Sequence, residues 1–377
     1  MKILIYENSS GLSSYTSKLC EAICESGNYE IDYLTIQNNK YLTSACPRIR
    51  VVPKLKTYNK RKKKSLLWLL NRIYVSLFNI RQRGNLCKNN RYDVVSIQET
   101  IPIFDQFFIK NFCKKNKNVV YTVHDVVPPI KSLFWSKKSL KKVYSSVDKL
   151  IVHTEGNKKQ LMDFFGIQEE KICVINHGTD EKYNKLQKSQ CKRVLGLNVN
   201  KVVILFYGMI RDQKGLDILI ESMNGIDNVQ LFVAGALPFG ETFKEYDTLI
   251  CKNSIDVFKM VHFIPEEETD IIFNSCDLVC LPYKYFYSQS GVFMKAIKYR
   301  KPIIASDVSS FRDYFKKYNI GAICKPNNVS DLRNKIWLTI KLLKSNPSFF
   351  YKELDRAAKE NSWAISAHKY ILAFEKR

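Results

Sequence analysis

Short β-branched runs alternate with amphipathic stretches along the whole chain, and this alternation restricts the fold more than any single motif. "KILIY" runs into a polar, glycine-containing loop, "ENSSGLSS". "YTSKLCEAICESG" then carries apolar residues at helical spacing and stops at Gly27. "YEIDYLTI", "DVVSIQ", "NVVYTVHD", "KLIVHT" and "KICVINHG" are further strand-like runs, with a helical pattern in "EGNKKQLMDFFGI". A polar stretch, Asp180–Lys192, reads as a linker, and the pattern then restarts with "KVVILFYG", "GLDILIESM", "VQLFVAGA", "VHFIP", "EEETDIIFNS", "DLVCLPY", "PIIAS", "GAICK" and "VSDLRNKIWLTIKLLKS". Such alternation implies a parallel sheet with helices on both faces, and its restart implies two of them. At 377 residues the chain exceeds one ordinary core and suits two domains. The expected class is α/β, two doubly wound domains facing a cleft, with ligands beyond the carboxyl ends of the strands.

Charge is uneven. Residues 51–150 hold 22 basic and 5 acidic side chains, whereas residues 191–377 hold 27 and 20. A field of that sign attracts phosphate-rich partners such as nucleic acid, anionic lipid or polyprenyl phosphates. Seven basic residues lie between Lys54 and Lys64, followed by Leu66, Leu69, Leu70, Ile73, Leu77 and Phe78 at helical spacing. This segment suits either a helix resting on an anionic interface or a helix packed on its own sheet behind a solvated loop. "KSLFWSKKSLKKVY", Lys131–Tyr144, is a second basic, aromatic piece that favours membrane contact. The eleven cysteines form no CxxC pair; Cys20/Cys24 and Cys276/Cys280 are expected as small buried hydrophobes in a reducing compartment. "MKILIY" is too short for a signal peptide, and no apolar run reaches the roughly 18 residues of a spanning helix. A cytoplasmic protein, peripheral on the inner face of a membrane, is expected.

Two loops carry the chemistry. In "FYGMIRDQKGLDILIESM" a buried strand ends at Gly208, the loop brings Arg211 and Lys214, and Gly215 starts a helix. Cations at a strand end beside a helix N-terminus suit a phosphate, because dipole and side chains act together. In "SQSGVFMKAIKYRKPIIAS" the hydroxyls of Ser288 and Ser290 can cap a helix whose exposed N–H groups a ligand approaches over Gly291. Both loops follow strands of the second half. "GALPFGET" has phosphate-loop spacing but Glu241 where a lysine is needed, and "PEEETD" reads as the acidic first turn of a helix. No paired carboxylates or HExxH motif suggest a metal.

These stretches, with "GAICKPNNVSDL" in the second half and "VVYTVHD", "KLIVHTEGNKKQL" and "VINHGTD" in the first, resemble the family-4 retaining glycosyltransferases of the GT-B fold. The resemblance implies two Rossmann-like domains: an acceptor-binding one over residues 1–185, a nucleotide-sugar-binding one over 191–360, and a closing helix over 361–377 that crosses back to the first. It implies a nucleotide diphosphate sugar as donor, no cofactor, and a saccharide or polyprenyl-diphosphate-linked acceptor in surface polysaccharide assembly. The family's basic pair maps onto Lys214 and Arg211, although many members place the arginine directly after the glycine, where this chain has Met209. Gly208, Gln289, Ser290, Gly291 and Val292 complete the donor side. The family's paired glutamates map onto Tyr287 and Lys295, and a lysine cannot accept a bond from a ribose hydroxyl; the chain looks like the branch with "SQSGV" in place of the first glutamate segment. On the acceptor side fall Ser10, Gly11 and His124, the last over the donor sugar, so that His124, Arg211 and Lys214 are the catalytic candidates. His177 is expected at a hinge or in packing, while His153, His262 and His368 show no company that suggests chemistry. Two other functions stay open: a catalytically inactive GT-B scaffold, and a nonspecific nucleic-acid-binding protein, for which no recognition module is visible.

Overall fold

The computed structural model describes residues 1–9, 11–39, 46–58, 65–127, 135–286 and 289–375, apart from the side chains at 309 and 310. The expectations for Ser10, Tyr287 and Ser288, and for the basic run 60–64, lie outside the described residues. The chain divides into two units: Met1–Gly178 with Trp363–Arg377, and Thr179–Ser362.

The first unit is built on seven parallel strands: β1 (Lys2–Tyr6), β2 (Glu30–Ile36), β3 (Ile49–Leu55), β4 (Val94–Ile97), β5 (Val119–Thr122), β6 (Lys149–Val152) and β7 (Ile172–Val174). They lie in the order β3-β2-β1-β4-β5-β6-β7. Its helices are α1 (Ser13–Glu25), α2 (Leu66–Asn89), α3 (Pro102–Lys115), α4 (Lys137–Ser146) and α5 (Glu155–Phe165). Alternate residues of one strand feed opposite cores. Ile3 and Ile5 pack with α1 and with the last helix of the chain, Trp363–Glu375, whereas Leu4 and Tyr6 join the core that takes Ile109, Leu140, Val143, Leu161 and Phe165 from α3–α5. β3 escaped the sequence reading: Pro53 inside it is tolerated because the strand is at the edge of the sheet.

The second unit has six parallel strands: β8 (Val202–Tyr207), β9 (Val229–Ala234), β10 (Val257–Met260), β11 (Leu278–Leu281), β12 (Ile303–Ser306) and β13 (Gly321–Cys324), in the order β10-β9-β8-β11-β12-β13. Its helices are α6 (Lys188–Leu195), α7 (Leu216–Ser222), α8 (Lys244–Asn253), α9 (Thr269–Ser275), α10 (Gly291–Lys298), α11 (Ser309–Lys317), α12 (Val329–Ser345) and α13 (Tyr351–Glu360); α14 is Trp363–Glu375 of the first unit. Two local expectations change. Part of the polar stretch read as a linker is helix α6, closed by Gly196 in the left-handed region. The strand read at "VHFIP" lies earlier, at Val257–Met260. Both sheets are doubly wound as expected. In each, the strand order reverses once, between β1 and β4 in the first unit and between β8 and β11 in the second, and ligands bind beyond such points in open α/β sheets. Cys20, Cys24, Cys276 and Cys280 are buried thiols, as expected.

Candidate functional site

The reversal point of the second unit assembles the two sequence-predicted loops. Gly208 ends β8 at φ +97, and a Cβ there would meet Val292 Cγ2 of α10 at 3.2 Å. Gly215 is more constrained: at φ +70, its Cβ would sit 2.0 Å from the carbonyl oxygen of Pro282. The loop carrying Lys214 therefore lies directly on the loop that leaves β11. The Lys284 N–H donates to Gln213 O at 3.0 Å, and Lys284 Nζ bridges Asp212 and Asp217 at 2.5 and 2.8 Å.

This clamp sets the position of Lys214. Its Nζ donates to Tyr283 Oη at 2.6 Å and lies 4.0 Å from the centre of that ring. Tyr283 Oη is in turn 3.1 Å from Ser290 Oγ, which caps α10 by accepting from the Phe293 N–H. One buried phenol thus joins the lysine of the first loop to the helix start of the second. Nothing lies within 4 Å of a Cβ built on Gly291, so the approach to the α10 amides is open. Beside it Gln289 Oε1 is buried without a hydrogen-bond partner, an acceptor left over for a ligand. Arg211 is exposed at the start of the turn. On the same face of α10, one turn on, Lys295 Nζ holds Glu266 Oε1 at 2.5 Å. A carboxylate therefore stands where the sequence alone offers a lysine, and the "PEEETD" cluster contributes to the site's surroundings as well as to a helix start.

At the reversal point of the first unit the carboxyl end of β1 meets that of β4. Gly11 N–H donates to Ser9 Oγ at 3.3 Å. Glu7 is buried, accepts from Ser13 Oγ at 2.7 Å and from Tyr33 Oη, and burial raises its pKa. Burial also pushes Glu99 up to about 7, and its Oε2 has no partner. Neither acid was singled out from sequence.

His124, just past β5, belongs to a chain of imidazoles. Its Nδ1 faces His153 Nε2 at 3.1 Å and its Nε2 the Gln98 amide at 3.3 Å, while His153 Nδ1 faces Ile175 O at 2.9 Å. The carbonyl fixes the tautomers: His153 must donate from Nδ1, so its Nε2 accepts from His124 Nδ1–H, and Gln98 must then present its amide N–H₂ to His124. Burial keeps all three rings neutral, with His124 far below the usual range, His153 at about 4 and His177 at about 3. The Tyr15 ring meets His124, His153 and His177 edge-on at 4.8, 5.5 and 4.7 Å, and its hydroxyl is 2.9 Å from Tyr370 Oη of α14. His153 thus has the company that sequence reading denied it. The signal was a pair of "VH" dipeptides ending neighbouring strands, for Thr122 pairs with Ile151 and the same register brings His124 beside His153.

Family models match both halves of the chain. Residues 10–183 match Glycosyltransferase Family 4 and residues 187–362 match Glycosyl transferases group 1, so the two together span nearly the whole chain. The chain belongs to the GT-B glycosyltransferases. This family member is 23% identical over 254 residues to the D-inositol 3-phosphate glycosyltransferase of Mycolicibacterium smegmatis, covering 66% of this chain and 56% of that one. A Mycobacterium ulcerans protein of the same name is 29% identical over 168 residues, 43% of this chain and 34% of that one. The chain spans about half the length of the curated relatives it matches. Among solved structures, HepE of Anabaena in complex with UDP and glucose superposes with a TM-score of 0.74 at 17% identity, covering 99% of this chain and 98% of that one. WaaG, a glycosyltransferase of lipopolysaccharide biosynthesis, gives 0.72 at 14% identity with full coverage of both chains. At these identities the structural likeness establishes the fold of this GT-B glycosyltransferase.

Proposed function

We propose that this chain moves a sugar from a nucleoside diphosphate sugar to a hydroxyl of a saccharide or lipid-linked saccharide, with retention, in the assembly of a surface polysaccharide. The observation that carries the reading is the Lys214–Tyr283–Ser290 chain, which brings a cation and the amide end of α10 to one place. The bond from the anomeric carbon to the diphosphate oxygen breaks and its electron pair stays on the diphosphate; the acceptor oxygen bonds the carbon and passes its proton to the departing diphosphate oxygen. Lys214, Arg211 and the amides of Gly291 and Val292 neutralise the charge that develops, a stabilisation of roughly 3–4 kcal/mol for a well-aimed donor. No resident metal or cofactor enters this scheme. Gln289 Oε1 and the Glu266 carboxylate supply acceptors for donor hydroxyls, the latter in the role that Lys295 cannot fill. Gly11, Ser10 and His124 serve the acceptor; His124, neutral and held through both nitrogens, positions rather than protonates. HepE, with UDP and glucose bound, supports a uridine donor as the first to try.

Turnover of UDP-, GDP- and ADP-sugars on lipid-extracted acceptors tests the proposal, with Lys214→Ala beside the wild type. Turnover by the wild type and a loss of about 100-fold or more in the variant is expected. An inactive wild type across the panel would favour the scaffold reading, and an unimpaired variant would remove Lys214 from the site.

A further inference from the structure

Helix α2 is built inside out. Its buried residues are Val75, Ser76, Asn79, Ile80 and Arg83, three of them polar. Asn79 binds the Lys56 backbone at both its N–H and its C=O and donates to Asn8 Oδ1 at 2.9 Å. Arg83 pairs with Asp105 at 2.8 Å, its guanidinium near the rings of Tyr6 and Phe112. The helix is thus anchored largely by hydrogen bonds and an ion pair, with Val75 and Ile80 beside them, and a second set of apolar residues is left outside. Leu66, Leu70, Tyr74 and Leu77, spaced four, four and three residues apart, are exposed by 70, 51, 54 and 41%, and Leu67 by 61%. The stripe continues as Arg81 and Lys88. A surface helix normally turns the opposite face to water.

α3 packs beside α2, and α4 beside α3. α3 adds exposed Phe107 and Phe108 and basic Lys110, Lys114 and Lys115. α4 adds Lys137, Lys138, Lys141 and Lys142, all exposed, with Lys142 Nζ 5.5 Å from the Phe107 ring. Across the three helices there are eleven basic residues and one acid, Asp105, which Arg83 already neutralises. α5, next in the chain, carries acids and bases in equal number. The cationic surface and the exposed apolar stripe therefore coincide on one layer of the first unit.

We infer that the outward face of α2–α4 docks on an anionic lipid bilayer, with Leu66, Leu67, Leu70, Tyr74 and Leu77 entering the headgroup–acyl boundary and the basic residues on the lipid phosphates. Charge complementarity selects this occupant. A second copy of the chain would bring two cationic faces together. A nucleic acid would satisfy the lysines but leave the leucines in water, whereas burial of aliphatic side chains together with lysine–phosphate attraction is what holds a helix in a bilayer interface. The inference deepens the lipid-linked-acceptor part of the proposed function, yet it stands on its own observations.

The test is co-sedimentation of the full-length protein, without donor or acceptor, on vesicles of equal parts phosphatidylglycerol and phosphatidylcholine and on vesicles of phosphatidylcholine alone. Because no turnover is read, failure here leaves the transferase reading intact, and failure of transfer leaves this result intact. Binding to the anionic vesicles, weak binding to the neutral ones, and weakening with salt are expected. Leu66→Ser with Leu70→Ser should lower partitioning by on the order of tenfold or more. Lys138→Glu with Lys141→Glu should lower it by about fivefold or more per residue. All four positions are exposed, so an unchanged melting temperature verifies the fold. Binding indifferent to the leucines, competition by an RNA duplex that outlasts their removal, or dimerisation abolished by L66S in place of vesicle binding would each overturn the inference.

Discussion

Mild acid should destabilise the first unit by way of its histidines. His153 at about 4 and His177 at about 3 start from an ordinary 6.5, and His124 is also held well below that value. A depressed imidazole means that the unfolded chain binds the proton and the folded one does not. Stability is therefore full above about 6.5 and is lost as pH falls below it, down to the folded values. Between about pH 7 and about pH 5.5 each ring costs on the order of 1 kcal/mol, or a few kcal/mol for the three. Glu99 opposes this. Its pKa is raised from 4.5 to about 7, so the folded state gains the proton in that window and recovers on the order of 1 kcal/mol, and the raised pKa of Glu7 acts in the same direction. The net expectation is a loss of about 2 kcal/mol, a large share of a domain's stability. Urea unfolding at the two pH values, followed by tryptophan fluorescence, reads it, since Trp68, Trp135 and Trp363 belong to this unit and only Trp337 to the other. Glu99→Gln removes the larger opposing contribution and should steepen the acid loss. A first transition as stable in mild acid as at neutrality, in the Glu99→Gln protein as well, would refute the neutral-imidazole account.

Two further perturbations address the second unit. Gly215→Ala puts a Cβ 2.0 Å from the Pro282 carbonyl at a left-handed φ, so it should cost about 2 kcal/mol or more in unfolding free energy and displace the Lys214 loop; a calorimetric melting temperature equal to the wild type would contradict the clamp. Glu266→Ala frees Lys295 and removes the carboxylate next to it; it should weaken nucleoside binding about tenfold with little change in melting temperature, and unchanged affinity would exclude Glu266 from the hydroxyl contact.

Much of this was readable in the sequence because strand–helix alternation repeats, and each repeat closes on a polar loop at a strand end. Lys214 and Ser290 stood out for that reason: they sit at chain punctuation marks, Gly215 and Gly291. Their link was not readable, since Tyr283 looks like any aromatic after a strand until its hydroxyl is found between them. The same holds for Glu266, which lies 29 residues from Lys295. β3 was missed because an edge strand tolerates Pro53 and exposed polar residues. α2 resisted a decision because apolar spacing reports a face without saying which way it points. Only the buried bonds of Asn79 and Arg83 show that the leucines point outward.

The central claim is that Lys214 and the start of α10 hold one diphosphate, and calorimetric titration tests it most directly. UDP, GDP and ADP would be compared with their monophosphates on the wild type and on Lys214→Ala. One diphosphate should bind the wild type more tightly than its monophosphate, and in the variant that advantage should shrink by about tenfold or more. A variant that keeps the full preference, or a wild type that binds no nucleoside diphosphate, would contradict the account.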